Sequence, residues 1–362
     1  MIQLPDMFYN IQYYLFPELE EVLGELTAKH KEFIRAIELI DIKRYTASFA
    51  WKGVGCKPHD REAIIKSFLA KPIFEFVKTR TLLDNLQNSP ILRRLCGWES
   101  TGHIPSESTF SRAFNAFSET DLGDKVHEAV IKEHQADKIV GHASKDATSV
   151  ESREKPCRKN KHGEKSKKKR GRPVKGTIVE KVPRRLELQD KRTLDGNLSD
   201  LPVGCDWGTK KNSNGKAYTW KGHKLHLDVS DSGVPLSAIV TSASVHDSQV
   251  AIPLMQMSNE RVINFYDVMD SAYDAPEIYA FSKSLNHVPV IDNNPRRGEK
   301  VEFEPAKKIR YNERTSAERA NSELKDNYGL ENIFVKGHKK VKLHIMFAVI
   351  ALTCKTLYNM IV

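Results

Sequence analysis

Tyr311-Asn-Glu-Arg-Thr-Ser-Ala-Glu-Arg-Ala-Asn-Ser-Glu-Leu-Lys-Asp326 sets four functional groups at helical spacing: Tyr311, Arg314, Glu318 and Lys325. Successive residues of an α-helix turn by about 100°, so the four share a stripe roughly 60° wide. A solvated helix face has no need to collect a phenol, two cations and a carboxylate on one line. A phosphate-handling site does, because a carboxylate can hold a divalent cation while Arg and Lys neutralise phosphate oxygens. Two plainer readings stand beside this one. Thr315 and Glu318 fit a capping box at a helix start, and Arg319 with Glu323 fits an ordinary i,i+4 surface pair. The helix is expected to stop at Asn327-Tyr328-Gly329, where Gly suits a left-handed cap.

The spacing Y-x2-R-x3-E-x6-K resembles the signature of bacterial insertion-sequence transposases of the DDE type, in the superfamily that joins the insertion-sequence-four and insertion-sequence-five groups. The resemblance implies a catalytic domain in which three carboxylates hold two Mg²⁺ ions about 4 Å apart, with Mn²⁺ able to substitute. It makes Glu318 the third metal-binding carboxylate. Asp270-Ser-Ala-Tyr-Asp274 resembles the second-Asp motif of the same enzymes, which gives Asp270 a metal role. Asp146 lies in Ser-Lys-Asp-Ala-Thr-Ser, polar surroundings that a buried structural strand would not favour, and is the first carboxylate. Asp267 is the second choice for the middle acid, since three residues upstream on a strand it faces the other way. Trp220-Lys-Gly-His-Lys-Leu-His-Leu227 and Thr241-Ser-Ala-Ser-Val-His-Asp247 also resemble family segments, without a role carried onto their residues. Only 48 residues separate Asp270 from Glu318 against 124 from Asp146 to Asp270, so the large insertion that supports a hairpin intermediate in the best-known relatives has no counterpart before the Glu.

The element order agrees. Strands are expected over 139–150, 217–229, 234–241, 262–269 and 287–291, with a helix over 275–283 before the signature helix. Strand, hairpin, strand, helix, strand, helix is the order of an α/β, ribonuclease-H-like domain: a mixed five-stranded sheet flanked by helices, preceded here by an all-α DNA-binding region. The expected division is an N-terminal helical region over 1–59, a helix-turn-helix-like DNA-binding domain over 60–137, and a catalytic domain over 138–362. In the second of these, Phe110, Ala113, Phe114 and Phe117 form a buried stripe that leaves Ser108 and Arg112 outside. A DNA recognition helix carries such groups, and so does many an ordinary amphipathic helix.

Charge points the same way. The chain has 57 basic and 47 acidic side chains, a net charge of +10. Twelve Lys or Arg against two Glu between Arg153 and Gly176 account for all of it, which points to a polyanionic partner. This run lies in a polar insertion at about 151–215. Its core of Lys167, Lys168, Lys169, Arg170 and Arg172, in Arg-Gly-Arg-Pro, resembles an AT-hook that lays arginines along a narrow minor groove. A solvated linker is the alternative. Five scattered cysteines without a C-x2-C pair argue for reduced thiols in a cytoplasm, and against a zinc site or a disulfide framework. The N-terminus has no signal-peptide pattern. The apolar stretch Leu343 to Val362, interrupted by Thr353, Lys355 and Asn359, reads as a buried terminal helix over a sheet more readily than as a membrane span.

The expected function is therefore that of a cytoplasmic, nucleoid-associated DNA transposase. It would bind double-stranded element ends as a homodimer or higher oligomer, cleave strands and join the freed 3′-OH to target DNA. Asp146, Asp270 and Glu318 would hold the metal, Arg314 and Lys325 the phosphates, and Tyr311 would contact the strand. A metal-dependent nuclease without strand transfer, and a non-catalytic DNA-binding descendant of a transposase, are the alternatives.

Overall fold

Ile139–Ser152 (β1), the strand that carries Asp146, is the one around which the sheet is assembled. The computed structural model describes residues 3–157, 183–211, 215–295, 298–299 and 301–361. The other strands are Asp206–Lys211 (β2), Ala217–Ser230 (β3), Pro235–Ser242 (β4), Ile263–Met269 (β5), Val288–Ile291 (β6) and Asn332–Ile333 (β7). The order is β2-β3-β1-β5-β6, with β4 paired to β3 and β7 to β1. β1 is antiparallel to β3 and parallel to β5, so the sheet is mixed, in keeping with a ribonuclease-H-like fold.

Two strands exceed the five expected. β2 lies inside the polar insertion at about 151–215, together with short helices at Arg185–Gln189 and Leu194–Asp200. It is a charged strand, mostly exposed, so no apolar alternation announces it. β7 is only two residues long. The helix Ser248–Asn259 was also not expected. It is buried almost all round, at Val250, Ala251, Ile252, Leu254 and Met255, and contains Pro253, so it has neither an amphipathic period nor clean boundaries. The basic run, with Lys167, Lys168, Lys169, Arg170 and Arg172, lies outside the described residues.

Alternation along β1 sorts its side chains between two environments. Lys145 points to the face covered by Ser248–Asn259 and Pro276–Ser284. There its ammonium lies 3.0 Å from Asp228 of β3 and 2.8 Å from Asp267 of β5, with all three side chains at most 1% exposed. Ser258 donates to Asp228, and Ser282 and His287 complete the shell of Asp267. Burial alone would raise the pKa of Asp267, but Lys145 and His287 outweigh it and hold the group well below the usual carboxylate range. Asp228, which has one oxygen without a partner, is raised by burial. The Lys145 ammonium, between Asp228 and the firmly ionised Asp267, thus ties β1 to β3 on one side and to β5 on the other.

The opposite face of β1 and β3 receives the helix Thr315–Asp326. Next to it runs the C-terminal helix His338–Asn359, buried over most of its length and packed on β4 and on four helices of the first 135 residues. Among the described residues it is the one helix long and apolar enough to cross a membrane, yet it is buried in the core, as its interrupted composition implies. Gly123 lets a neighbouring helix approach it: a Cβ there would sit 2.5 Å from Met346 Cβ. The apolar cluster is continuous from Phe33, Phe68 and Phe110 through Phe347 to Leu225 and Val140. The helix Phe16–Leu23 stops at Gly24, where φ is +89°, and the next helix, Ala28–Leu39, starts at the Thr27 cap.

Lys145→Met should cost about 3–5 kcal/mol in unfolding free energy, because it leaves two buried carboxylates without their cation. Urea denaturation of the full chain measures this. A loss below about 1 kcal/mol would mean that the buried cluster does not hold the sheet.

Candidate active site

The same alternation that buries Lys145 turns Asp146 to the other face. β1 and β5 run parallel with Lys145 opposite Met269, so the next residues, Asp146 and Asp270, follow side by side. Asp270 leaves the end of β5 in extended conformation and accepts a hydrogen bond from the Ala272 N–H at 2.9 Å, which caps a short 3₁₀ turn. Asp146, half-buried, accepts one from Asn321 Nδ2 at 3.0 Å. Burial raises both pKa values, and each is further raised by a neighbouring carboxylate: Asp146 by Asp270, and Asp270 by Asp247. Lys210 and Arg314 act on both in the opposite sense.

The signature stretch is not one helix. Pro305–Tyr311 ends at Tyr311, a 3₁₀ turn spans Asn312–Arg314, and a new α-helix begins at Thr315. The tighter turn wedges against β1, where Ser144 Oγ donates to the Glu313 carbonyl at 3.0 Å. Arg314, half-buried, is thereby brought among the acids. Burial lowers its pKa, but Tyr311, Glu318, Asp146 and Asp270 together raise it. Its Nη2 donates to Glu318 Oε1 at 2.5 Å. Glu318 itself is exposed, and the contact that holds it is with Arg314 and not with the Asp pair. Tyr311 meets Phe303 at a tilt, ring centroids 4.9 Å apart, and burial pushes its hydroxyl up to about 12. Lys325 lies further along β1, with Nζ 3.5 Å from Ser149 Oγ, in a cleft it shares with Glu151, Tyr218 and Glu331.

Both plainer readings of this stretch give way. Glu318 turns to Arg314 instead of capping the helix, which has no side-chain cap. Arg319 bonds Thr315, while Glu323 pairs with Lys355. The helix ends at Asp326, and Gly329 has φ +68° as a left-handed cap requires. Asp267 belongs to the buried Lys145 cluster on the other face and is unavailable to this group.

A protein-family model described as Transposase DDE domain matches residues 142–354, more than half of the chain. The chain belongs to this DDE transposase family. A second model, described as Transposase domain (DUF772), matches residues 21–116. No match was found among curated proteins or among solved structures. DDE transposases act on DNA and use divalent metal ions. The two half-buried carboxylates offer oxygen donors to a hard cation, and their pKa values are raised chiefly by burial and to a lesser degree by a neighbouring carboxylate.

Within the second match, Ser108 and Arg112 are exposed on the helix Glu107–Glu119, whose Phe110, Ala113, Phe114 and Phe117 are buried. The transposase also places residues at the site that sequence reasoning left without a role. Asp247, at the end of the second family-like patch, receives Lys224 Nζ at 2.8 Å. Burial would raise its pKa, but His226 and Lys224 outweigh that and lower it. Lys210 comes from β2 and Asn321 from the signature helix. Tyr273, fully buried, has a hydroxyl without a hydrogen-bond partner and lies in the field of Asp247, Asp146 and Asp270. The family-like patches were the only sequence signal for Asp247 and Lys224.

Because the folded pKa of Asp146 lies above its unfolded value, the native state binds more protons in that window. Stability contributed by this group therefore falls as pH rises from 3.8 through the raised value. Asp146→Asn should raise the Tm of metal-free protein at pH 7, with no gain below pH 3.8 and little gain once Mg²⁺ is added to both proteins. Differential scanning fluorimetry reads this directly. A lower Tm for the variant at pH 7 without metal would contradict a cost of burying the charged carboxylate.

Proposed function

We propose that this transposase cleaves DNA strands at the Asp146–Asp270 pair and joins the freed 3′-OH to a second duplex. The observation that carries the reading is the pair itself: two half-buried carboxylates side by side at the register of β1 and β5, both in the field of Arg314, which bonds Glu318. Asp146, Asp270 and Glu318 would hold the divalent cations, Mg²⁺ or in its place Mn²⁺. Such cations supply Lewis-acid activation of the attacking oxygen and charge neutralisation at phosphorus. Asn321 fixes the Asp146 carboxylate, and the Ala272 N–H fixes that of Asp270. Arg314 is free to exchange Glu318 for a non-bridging phosphate oxygen, which releases Glu318 towards the acids. Lys325 contacts the strand one step away, and Tyr311 lines its path. Both hydrolysis and joining are in-line displacements, so one site serves both.

DNA contacts outside the site fall to the Ser108–Arg112 helix and to the basic run. Arg112 reads base edges, and Lys167, Lys168, Lys169, Arg170 and Arg172 hold phosphates or the minor groove. The active unit is a homodimer or larger assembly on element ends.

Asp146→Asn, Asp270→Asn and Glu318→Gln should each lower the rate of Mg²⁺-dependent cleavage by at least about 10²–10³-fold, the scale of losing one preorganised charge-stabilising group. End binding should stay within a few-fold. A plasmid-joining assay with pre-cleaved 3′-OH ends separates the readings. Cleavage without joining leaves a nuclease, and specific binding unaffected by all three variants leaves a non-catalytic binder. Changing the five cations of the run to Gln should flatten the log–log salt dependence of binding by up to about 4–5 units, at roughly 0.9 per phosphate contact. An unchanged slope would reduce the run to a linker.

A further inference from the structure

At the far end of the β1–β3 ladder from Asp146, three side chains of different chemistry converge. Asp146 pairs with Leu227, whereas His223 lies opposite Val150, four residues along the ladder and about 14 Å away at 3.4 Å per residue. Around His223 stand Glu154, just past β1, and Cys205, just before β2. One ligand atom from each of Glu154, Cys205 and His223 lies within 4.8 Å of the other two. Metal–ligand bonds of about 2.0–2.3 Å place tetrahedral donors about 3.3–3.7 Å apart, so modest side-chain rotation closes this triangle.

The state of each donor favours a cation. His223 is fully buried, and neither ring nitrogen makes a well-aligned hydrogen bond, although the Thr241 and Val203 carbonyls lie near enough to act on the ring. A buried imidazole held only by poorly aligned contacts is costly unless something better binds one of its nitrogens. Burial lowers its pKa, more than Glu154 and the Thr241 and Val203 carbonyls raise it, so the ring is the neutral form that ligates metal. The buried Cys205 thiol makes only a long contact, 3.8 Å, to the Glu154 carbonyl. Burial and the nearby Glu154 carboxylate push it up to about 11. Without a cation, a neutral thiol and an anion crowd a buried imidazole. The Gly337 N–H donates to Glu154 Oε1 and orients that carboxylate. The His338 ring beyond it lies 6.0 Å from the His223 ring.

A second thiol is at hand. The Cys157 N–H donates to the Cys205 carbonyl at 2.8 Å, and Cys157 Sγ lies so close over Gly204 that a Cβ there would meet it at 2.6 Å. The expectation against zinc rested on the lack of local C-x2-C spacing; here the fold, not the local sequence, supplies the donors.

We propose that Glu154, Cys205 and His223, with Cys157 as fourth ligand, form a structural Zn²⁺ site separate from the carboxylates around Asp146. Mixed sulfur, nitrogen and carboxylate donors in a closed tetrahedral set suit Zn²⁺ rather than Mg²⁺. The site clips residue 157 to residue 205 and so closes the base of the excursion that carries the basic run. It holds the origin of that arm beside β3 whatever the arm itself does.

The metal can be read without any DNA assay. Full-length protein purified without chelator should carry about one Zn²⁺ per chain by elemental analysis. Cys205→Ser and His223→Gln should lose most of it, while the Asp146→Asn/Asp270→Asn double variant keeps it. Co²⁺ in place of zinc should give a thiolate charge-transfer band that roughly halves in Cys157→Ser. Should the Cys205 and His223 variants fail to fold, organomercurial titration of wild-type thiols under native conditions should release the zinc stoichiometrically. Wild-type protein without zinc and without a Co²⁺–thiolate band would overturn the site. So would unchanged zinc in folded Cys205→Ser, or a native Cys157–Cys205 disulfide. An unchanged band in Cys157→Ser would overturn the fourth ligand.

Discussion

The Lys145 ammonium, 3.0 Å from Asp228 and 2.8 Å from Asp267, is the contact on which the rest depends. It is a buried charge, and buried charges tolerate little displacement. A shift of β1 by one residue would move Lys145 to the other face, leave two carboxylates unpaired and take Asp146 away from Asp270. Register elsewhere in a sheet can be set by apolar packing, which forgives small errors. Here it is set by an ion pair whose loss is expensive. The position of the candidate site follows from it, because Asp146 is the next residue along the same strand.

The second constraint is the C-terminal helix. His338–Asn359 is buried on β4 and also on helices from the first 135 residues, so one apolar core joins the sheet to the helical region. The transposase therefore presents the Ser108–Arg112 surface and the Asp146–Asp270 pair on one connected body. The signature helix packs beside it and delivers Arg314 through a 3₁₀ turn, not as the next position of a straight helical stripe. Arg314 bonds Glu318 and lies in the field of both Asp residues.

Much of this was legible in the sequence, for identifiable reasons. Strands β1, β3, β4, β5 and β6 alternate or run apolar between clear turns, and each was expected to within about two residues. The Phe110 to Phe117 stripe and the buried C-terminal helix were equally plain. Asp146 and Asp270 were picked out on two strands that prove to be neighbours. The rest had no local signature. Ser248–Asn259 is buried on all sides and has no polar face to set its period. β2 is a charged, mostly exposed strand. The break at Asn312–Arg314 comes from packing of Glu313 on Ser144, a contact 169 residues apart in sequence. Asp247, Lys210 and Asn321 reach the acids only through the fold. Cys157, Cys205, Glu154 and His223 likewise come together from positions that no spacing rule connects.

The central claim is that the register pinned by Lys145 makes a divalent-cation site of Asp146 and Asp270. Electron paramagnetic resonance of Mn²⁺ titrated into zinc-replete protein, without DNA, tests it most directly. Wild-type protein should bind Mn²⁺ saturably, Mg²⁺ should displace it, and Asp146→Asn and Asp270→Asn should each abolish the binding. Mn²⁺ binding that survives in both variants would contradict the account.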